Sequence, residues 1–106
     1  MSVLLEFSMF PTSDECREGA SVSKYVSRII DMIDTSGVAY RLTPMGTIVE
    51  TETLEEALAI VQKAYETLEC ERVYSSLKLD IRRGTDTRLQ KKIASVEEHL
   101  KRSVTT

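Results

Sequence analysis

The stretch RVYSSLKLDIRRG, residues 72–84, alternates between two kinds of side chain. One row consists of Val73, Ser75, Leu77, Leu79 and Ile81. The other row is polar and consists of Arg72, Tyr74, Ser76, Lys78, Asp80 and Arg82. A period of two residues is typical of a β-strand with one buried face. We therefore predict a strand of about eleven residues, roughly 36 Å long at about 3.3 Å per residue, whose polar row faces something other than the core.

Three more strands are predicted upstream of this segment. Residues 3–10 alternate in the same way, and Pro11 ends the run. Residues 38–43 and 46–51 are rich in β-favouring residues and flank Pro44-Met45, which predicts a hairpin. The chain thus supplies four strands, of which the middle two are adjacent in sequence.

Two amphipathic helices separate these strands. Apolar residues at helical spacing over residues 22–33 predict the first helix, with Ser21 as its N-cap and Gly37 at its end. A capping box over residues 53–56 starts the second helix, which is predicted to stop near Cys70. The predicted apolar face of the second helix consists of Leu54, Ala57, Leu58, Val61, Ala64, Tyr65 and Leu68.

A third helix is predicted after the last strand, beginning at a capping box over residues 87–90. Its apolar residues are Leu89, Ile93, Val96 and Leu100. A seam this narrow favours contact with another helix over contact with a broad core.

The predicted order is β-α-β-β-α-β with one further helix. This order is typical of an α+β fold, a ferredoxin-like βαββαβ sandwich with a four-stranded antiparallel sheet plus an extra C-terminal helix. At 106 residues the chain is expected to form a single domain, residues 1–106. Two helices can cover one face of the sheet but not the other. The second face is expected to carry Glu6, Ser8, Phe10, Arg41, Thr43, Tyr74, Ser76, Lys78, Asp80, Arg82 and part of residues 47–50.

Composition and charge argue against several classes of function. The net charge is −3 with both signs mixed along the chain, so we expect no nucleic-acid partner. No apolar run approaches the roughly 20 residues that cross a bilayer, so we expect no membrane partner and a cytoplasmic location. Cys16 and Cys70 have no further Cys or His at ligand spacing, which predicts plain thiols and no metal site. The only histidine, His99, lies on a polar face, so no His-based catalytic triad is expected.

Four segments carry a resemblance to a known family. They are EFSMFP at residues 6–11, SVSKYV at 21–26, TPMGTIVE at 43–50 and ERVYSSLKLDIRRG at 71–84. In this order and spacing they resemble the YkoF-like family of small thiamine- and hydroxymethylpyrimidine-binding proteins, over about residues 3–100. The chain departs from many relatives at residues 12–20, TSDECREGA, which is longer and more acidic than their glycine-containing turn.

The resemblance implies a ferredoxin-like subunit that assembles with itself into a dimer or tetramer. It implies a small-molecule ligand, thiamine or its hydroxymethylpyrimidine precursor, bound at or near subunit interfaces, with no catalysis and no cofactor. Such a ligand needs a stacking surface, an acceptor for its amino group and some negative charge for its thiazolium ring.

On this basis nine residues are candidates for ligand contact. They are Ser8, Phe10, Ser21, Ser23, Thr47, Glu50, Lys78, Asp80 and Arg82. Phe10 is expected either to stack on a ring or to pack between subunits. Glu50 is expected either to accept from an amino group or to form a salt bridge with Arg41, Lys78 or Arg82.

The remaining candidates have equally concrete alternatives. Lys78, Asp80 and Arg82 are interpreted mainly as a charge-compensated layer between subunits, with direct ligand contact as the alternative. The helix start near Ser21 and Ser23 offers N–H groups to a polar or phosphate group of the ligand. Thr47 offers a hydroxyl donor. Thr47 and Glu50 differ in parity, so they share a face of the sheet only if a bulge intervenes.

Two functional hypotheses remain open. The first is a non-enzymatic binding protein for thiamine or hydroxymethylpyrimidine, acting as a carrier, buffer or sensor in vitamin supply. The second is a ligand-free structural or regulatory homo-oligomeric module whose polar sheet face only joins subunits. An enzyme is less favoured because no nucleophile and base stand at a recognisable spacing. RNA binding is less favoured because the basic and aromatic pattern of RNA-binding sheets is missing.

Overall fold

The computed structural model describes residues 1–16, 22–84 and 87–106 and confirms the predicted order of elements. The strands are β1 (Ser2–Pro11), β2 (Ala39–Thr43), β3 (Gly46–Thr51) and β4 (Val73–Arg82). The helices are α1 (Ser23–Ser36), α2 (Leu54–Glu66) and α3 (Arg88–Leu100), with a short 3-10 helix at Asp14–Cys16. No helix within the described ranges is long and apolar enough to span a membrane.

The four strands form one antiparallel sheet in the order β2-β3-β1-β4. β1 lies in the middle of the sheet and pairs with β4 along its whole length, from Ser2 opposite Arg82 to Pro11 opposite Val73. Its pairing with β3 is shorter and ends where Phe7 lies opposite Thr47. This topology confirms the ferredoxin-like α+β fold.

The core lies between the sheet and the first two helices. β1 contributes four residues to this core, Val3, Leu5, Phe7 and Met9. α1 places Ile29 and Ile33 against them, as its apolar stripe predicts. α2 contributes Ala57, Ile60, Ala64 and, after its last turn, Leu68.

The buried face of α2 differs from the prediction. Leu58 and Tyr65 were expected in the core and are exposed, whereas Ile60 is buried. The two small residues Ala57 and Ala64 face the sheet and allow a close approach. The helix also ends at Glu66, four residues before the expected end near Cys70, and the chain then turns through Leu68.

Helix starts agree only in part with the sequence patterns. The Thr53 hydroxyl accepts the Glu56 N–H at 3.1 Å, so the capping box of α2 is confirmed. Val22 occupies the N-cap of α1 in place of the expected Ser21, which lies outside the described residues. Gly37 ends α1 in the left-handed region with φ 79°, as predicted. The capping box expected for α3 is wrong, because Thr87 has φ 52° and its side chain makes no capping bond.

Cys16 and Cys70 form a disulfide, so the prediction of two plain thiols is wrong. Cys16 follows β1 and Cys70 precedes β4, and the antiparallel pairing of these strands brings the two positions to a Cα separation of 6.0 Å. This distance is within the usual range for a bridge. The prediction considered only spacing along the chain and the expected compartment, neither of which reports this proximity.

α1 and α2 leave one face of the sheet uncovered, and α3 covers one end of that face. Arg88, at the start of α3, is only 3% exposed. Its guanidinium donates to the carbonyl oxygens of Ser2 and Asp80 at 2.9 and 2.6 Å, to the Ser2 hydroxyl at 3.0 Å and to the Asp80 carboxylate at 2.8 Å. The buried Arg88 side chain therefore ties the start of α3 to β1 and β4.

Candidate ligand-binding site

The pairing register assigns each strand residue to a face. Phe7 lies opposite Thr47 and Leu5 opposite Val49, so Thr47 belongs to the face that α1 and α2 cover. Glu50 lies opposite Leu4 and belongs to the other face, called here the open face. The register between these positions is continuous, so Thr47 and Glu50 point to opposite faces as their parity indicates.

The open face carries the polar row that the sequence predicts. From one end of the β1–β4 pair to the other, the facing pairs are Ser2–Arg82, Leu4–Asp80, Glu6–Lys78, Ser8–Ser76 and Phe10–Tyr74. Arg41 and Thr43 of β2 lie on the same face, opposite Ile48 and Gly46 of β3. The predicted composition of this face is therefore confirmed.

A cleft of about 400 Å³ lies where β3 begins. In the described part of the chain, no strand pairs with β1 beyond Phe7 on its β3 side, and the cleft lies between this part of β1, the start of α1 and the β2–β3 turn. Its apolar walls consist of Phe7, Met9, Val22, Val26, Ile29, Leu42, Pro44 and Met45. This volume is within the usual range for small-molecule sites.

The described lining of the cleft includes three residues with hydroxyl side chains and one further aromatic residue. Thr47 reaches the cleft from the covered face, whereas Ser8, Thr43 and Phe10 belong to the open face and border the cleft at its edge. Thr47 is almost buried, and within the described residues neither its hydroxyl nor that of Ser8 makes a hydrogen bond. None of the described lining residues is ionisable. The cleft therefore suits a flat, uncharged group with a few polar atoms.

Phe10 has a second neighbour besides the cleft. Its ring centroid lies 5.7 Å from that of Tyr74 with the planes tilted by 36°. Aromatic pairs at this separation attract each other modestly and hold each other in place. The Phe10 ring therefore packs against Tyr74 on the open face, next to the cleft.

The β2–β3 turn is held by one threonine. The Thr43 hydroxyl donates to the Gly46 carbonyl at 2.7 Å and accepts the N–H groups of Met45 and Gly46 at 3.3 and 3.2 Å. The turn leaves Met45 89% exposed at the mouth of the cleft. Thr43 thereby fixes the backbone at the rim of the cleft. The exposed Met45 adds a flexible thioether side chain to this rim.

Gly46 is required for the close approach of this turn to β1. A Cβ at position 46 would lie 3.1 Å from the Phe7 carbonyl oxygen, which is a backbone atom and cannot turn away. We expect Gly46→Ala to lower the free energy of unfolding by about 1 kcal/mol through overpacking. Amide NMR shifts should change at Phe7 and Ser8. In Gly84→Ala the added methyl meets no atom within 4 Å, so these two amides should not move, even though the left-handed φ of 77° makes this substitution costly in itself.

A second, more polar pocket of about 340 Å³ adjoins the cleft on the open face. Phe7, Ser8 and Met45 line both spaces. The second pocket adds Glu6, Ser76, Leu77 and Lys78. Lys78 is therefore the one charged member of the predicted set that lies beside the cleft.

Glu50 lies away from the cleft and caps α3. The N–H groups of Arg88 and Leu89 donate to its carboxylate at 2.7 and 3.2 Å, and the Ser2 hydroxyl donates to it as well. Burial opposes its ionisation, but these hydrogen bonds and the Arg88 charge outweigh it and lower the pKa of Glu50. The expected salt bridge to Arg41, Lys78 or Arg82 is wrong for the described residues, because other partners hold the carboxylate.

Asp80 belongs to the same end of the sheet. Lys92 and Arg88 bind its carboxylate at 3.2 and 2.8 Å. The hydrogen bond from Lys92 is the main cause that lowers the pKa of Asp80, and the charge of Arg88 adds to it. The charge compensation predicted for Asp80 thus comes from α3 of its own chain.

The nine predicted residues therefore fall into separate groups. Ser8, Phe10 and Thr47 line the cleft, Ser23 lines an adjoining apolar pocket near the start of α1, and Lys78 lines the polar pocket. The α3 end of the sheet carries Glu50, Asp80 and Arg82. Glu50 lies opposite Leu4, and Leu4 is four residues from Ser8, about 13 Å along β1 at about 3.3 Å per residue. Ser21 lies outside the described residues. Contact between any of these residues and a ligand stays a prediction.

Sequence reasoning missed several residues at both ends of the sheet. Arg88 reads as an ordinary charged residue at the start of a helix, and nothing in the local pattern marks it as buried. The cleft is also lined by Leu42, Met45 and Val26. Of these, only Val26 was expected to pack, because it belongs to the apolar stripe predicted over residues 22–33. The segment TPMG did carry a usable signal, since a threonine three residues before a glycine is typical of a tight turn.

The fold and the cleft define a class: a small ferredoxin-like domain with a ligand-sized apolar cleft at one end of its central strand. The model of the family described as thiamine-binding protein matches residues 5–97, so the chain belongs to the thiamine-binding protein family. Relatives carry the description UPF0045 protein. One from Methanothermobacter thermautotrophicus is 36% identical over 83 residues, covering 76% of this chain and 84% of that protein. One from Mycobacterium tuberculosis is 34% identical over 104 residues, covering 96% and 98%.

Solved structures agree with the fold. The hypothetical protein MJ1052 of Methanocaldococcus jannaschii is similar with a TM-score of 0.76 and 32% identity, covering 92% of this chain and 97% of that one. A Thermotoga maritima protein provisionally assigned to thiamine biosynthesis or salvage has a TM-score of 0.74, covering 91% and 99%. Its identity is 23%, so this likeness supports the fold alone.

Proposed function

We propose that this protein binds thiamine or its hydroxymethylpyrimidine precursor without chemical conversion and acts as a carrier, buffer or sensor in vitamin supply. The observation that carries the proposal is the cleft, with apolar walls, the Phe10 ring and two hydroxyls that have no hydrogen-bond partner within the described residues. Membership of the thiamine-binding protein family supports the choice of ligand.

The cleft matches the pyrimidine half of the ligand best. An aminopyrimidine is flat and uncharged, so apolar walls and one aromatic edge can enclose its faces. Its ring nitrogens and its amino and hydroxymethyl groups can pair with the Thr47 hydroxyl from the covered side of the cleft or with the Ser8 hydroxyl from the open side, each of which donates and accepts. The described lining residues include no carboxylate, histidine or thiol to activate these hydroxyls, which supports binding rather than catalysis.

Isothermal titration with hydroxymethylpyrimidine, thiamine and thiamine monophosphate tests the proposal. We expect saturable binding of hydroxymethylpyrimidine to the wild type and about tenfold weaker binding to Thr47→Val, which keeps the shape and removes the hydroxyl. Thr51→Val is the control, since Thr51 is a similarly buried threonine on the same strand and face but outside the cleft; this control also removes the hydrogen bond that the Thr51 hydroxyl donates to the Thr53 carbonyl at 2.8 Å. If none of the three compounds binds to the wild type, the proposed function is refuted.

We propose further that the protein assembles with itself. β4 is an edge strand of ten residues, and Leu77, Leu79 and Ile81 on its helix-side row remain exposed. Such an edge has unpaired N–H and C=O groups, and two copies related by a two-fold axis can satisfy them by antiparallel pairing. Light scattering should give a dimer or a tetramer. An assembly that binds none of the three compounds would favour the second candidate, a structural or regulatory module.

The proposal includes a cytoplasmic location, which cell fractionation tests. The disulfide weighs against it, because thiol-reducing systems keep disulfides rare in the cytosol. A cytoplasmic pool in which Cys16 and Cys70 are reduced would reconcile the two.

A further inference from the structure

We infer that the ligand site has two compartments and that Glu6 and Lys78 select ligands by charge. The cleft would take an uncharged ring, and the adjoining polar pocket would take a charged group attached to it. This inference rests on the proposed function, because it assigns specificity within the same site. It distinguishes ligands that share a pyrimidine but differ in charge.

The two spaces adjoin at β1, where they share lining residues. Phe7, Ser8 and Met45 line both, so a molecule seated against the Ser8 hydroxyl reaches the open face without crossing the sheet. Glu6 and Ser8 point to the same face two residues apart, about 6.6 Å at about 3.3 Å per residue. This is the scale of one ring and a one-carbon link, so a second ring would lie beside Glu6.

The ion pairs of the open face that involve described residues lie at its α3 end. At the α3 end, Asp80 is bound by Arg88 and Lys92, and Glu50 caps α3. At the cleft end, Glu6 and Lys78 lie opposite each other on β1 and β4, and neither makes an ion pair with any described residue. These two side chains are therefore able to respond to a charge brought by a ligand.

The two charges fit different parts of a thiamine-like molecule. The thiazolium ring is a permanent cation, which a carboxylate beside the cleft attracts. A phosphate ester on the same ring is an anion, and a lysine binds it as a point charge. Glu6 is therefore assigned to the cationic ring and Lys78 to the phosphate, whereas hydroxymethylpyrimidine, which carries neither charge, should be indifferent to both.

Titration of two charge-removing variants tests the assignment. Glu6→Gln should weaken thiamine binding about fivefold and leave the affinity for hydroxymethylpyrimidine unchanged. Lys78→Gln should weaken thiamine monophosphate about fivefold relative to thiamine. Glu98→Gln and Lys63→Gln change the net charge equally at exposed positions that line neither compartment, and they should change neither ratio.

Salt gives a second readout of the same assignment. Raising ionic strength should weaken thiamine binding to the wild type and have little effect on Glu6→Gln, since exposed charges are screened. If the wild type binds thiamine and hydroxymethylpyrimidine but Glu6→Gln keeps their affinity ratio, the charge assignment is wrong and the binding function stands. If the wild type binds neither, the proposed function fails and the assignment fails with it.

Discussion

Replacing Cys70 with serine is expected to lower the free energy of unfolding by about 4 kcal/mol. The bridge to Cys16 joins positions 54 residues apart, and closing a loop of that size removes much of the freedom of the unfolded chain. Domains of this size are stable by roughly 5–15 kcal/mol, so the loss is a large part of the total. Urea denaturation followed by circular dichroism, with and without dithiothreitol, measures it.

The native structure around the bridge should survive its loss. Three hydrogen bonds span the same junction: Thr12 N–H to the Arg72 carbonyl at 2.9 Å, Arg72 N–H to the Ser13 hydroxyl at 3.2 Å, and Glu71 N–H to the Glu15 carboxylate at 2.8 Å. The variant should therefore keep wild-type chemical shifts in the core, because most of the effect lies in the unfolded state. Reduced wild type and Cys16→Ser/Cys70→Ser should be equally stable. Equal stability of the oxidised and reduced wild type would contradict the prediction.

Arg88→Met is expected to release α3 from the sheet and to cost about 2 kcal/mol, since it removes the hydrogen bonds of a buried guanidinium, while the Asp80 carboxylate is half exposed and keeps Lys92. Methionine keeps the apolar stem but leaves the carbonyl of Ser2 and the Ser2 hydroxyl without the guanidinium donor. Hydrogen exchange of the α3 amides should rise toward that of a free helix while the core amides stay protected.

Arg102→Met is the matched control for this helix. Arg102 is exposed just beyond α3, and its backbone N–H, which the substitution keeps, donates to the Glu97 carbonyl. Its stability and α3 protection should equal those of the wild type. Unchanged α3 protection in Arg88→Met would show that the helix is held by other contacts.

The same network makes the attachment of α3 sensitive to acid. The pKa of Glu50 lies below its ordinary value of 4.5, and that of Asp80 lies below 3.8. Groups with lowered pKa in the folded state contribute their stability above the unfolded pKa and lose it as pH falls through the folded value. Protection of α3 should therefore be complete above about pH 5 and decline as the pH falls below about 4.

Glu50→Gln should weaken the attachment of α3 to the sheet at neutral pH. A change in ligand affinity in that variant would therefore not by itself place Glu50 in the ligand site.

Local patterns were sufficient for the elements and for part of the site. The alternation in β1 and β4, the turn at Pro44 and Met45, and the capping box at Thr53 each depend on neighbours a few residues away. For the same reason the parity of Thr47 and Glu50 correctly indicated opposite faces. Ser8, Phe10 and Thr47 meet at the cleft because β1 and β3 are adjacent, which follows from the fold type.

The missed features all depend on contacts between distant parts of the chain. The Cys16–Cys70 bridge, the Arg88 network and the Glu50 cap join residues that become neighbours only after β4 pairs with β1. Ile60 was missed for a different reason, since the rotation of α2 about its axis depends on which side chains allow the closest approach to the sheet. Sequence periodicity specifies a face only to within about one residue in such a helix.

Two contacts, one near each end of β4, fix its alignment with β1. A slip of β4 by two residues would keep every side chain on its present face, so the alternating pattern cannot distinguish the true alignment from its neighbours. Just before β4, Cys70 forms the disulfide with Cys16, and near the end of β4, Asp80 accepts hydrogen bonds from the Arg88 guanidinium. A shift in either direction strains one of these two contacts, so both of them favour the alignment that places Lys78 opposite Glu6.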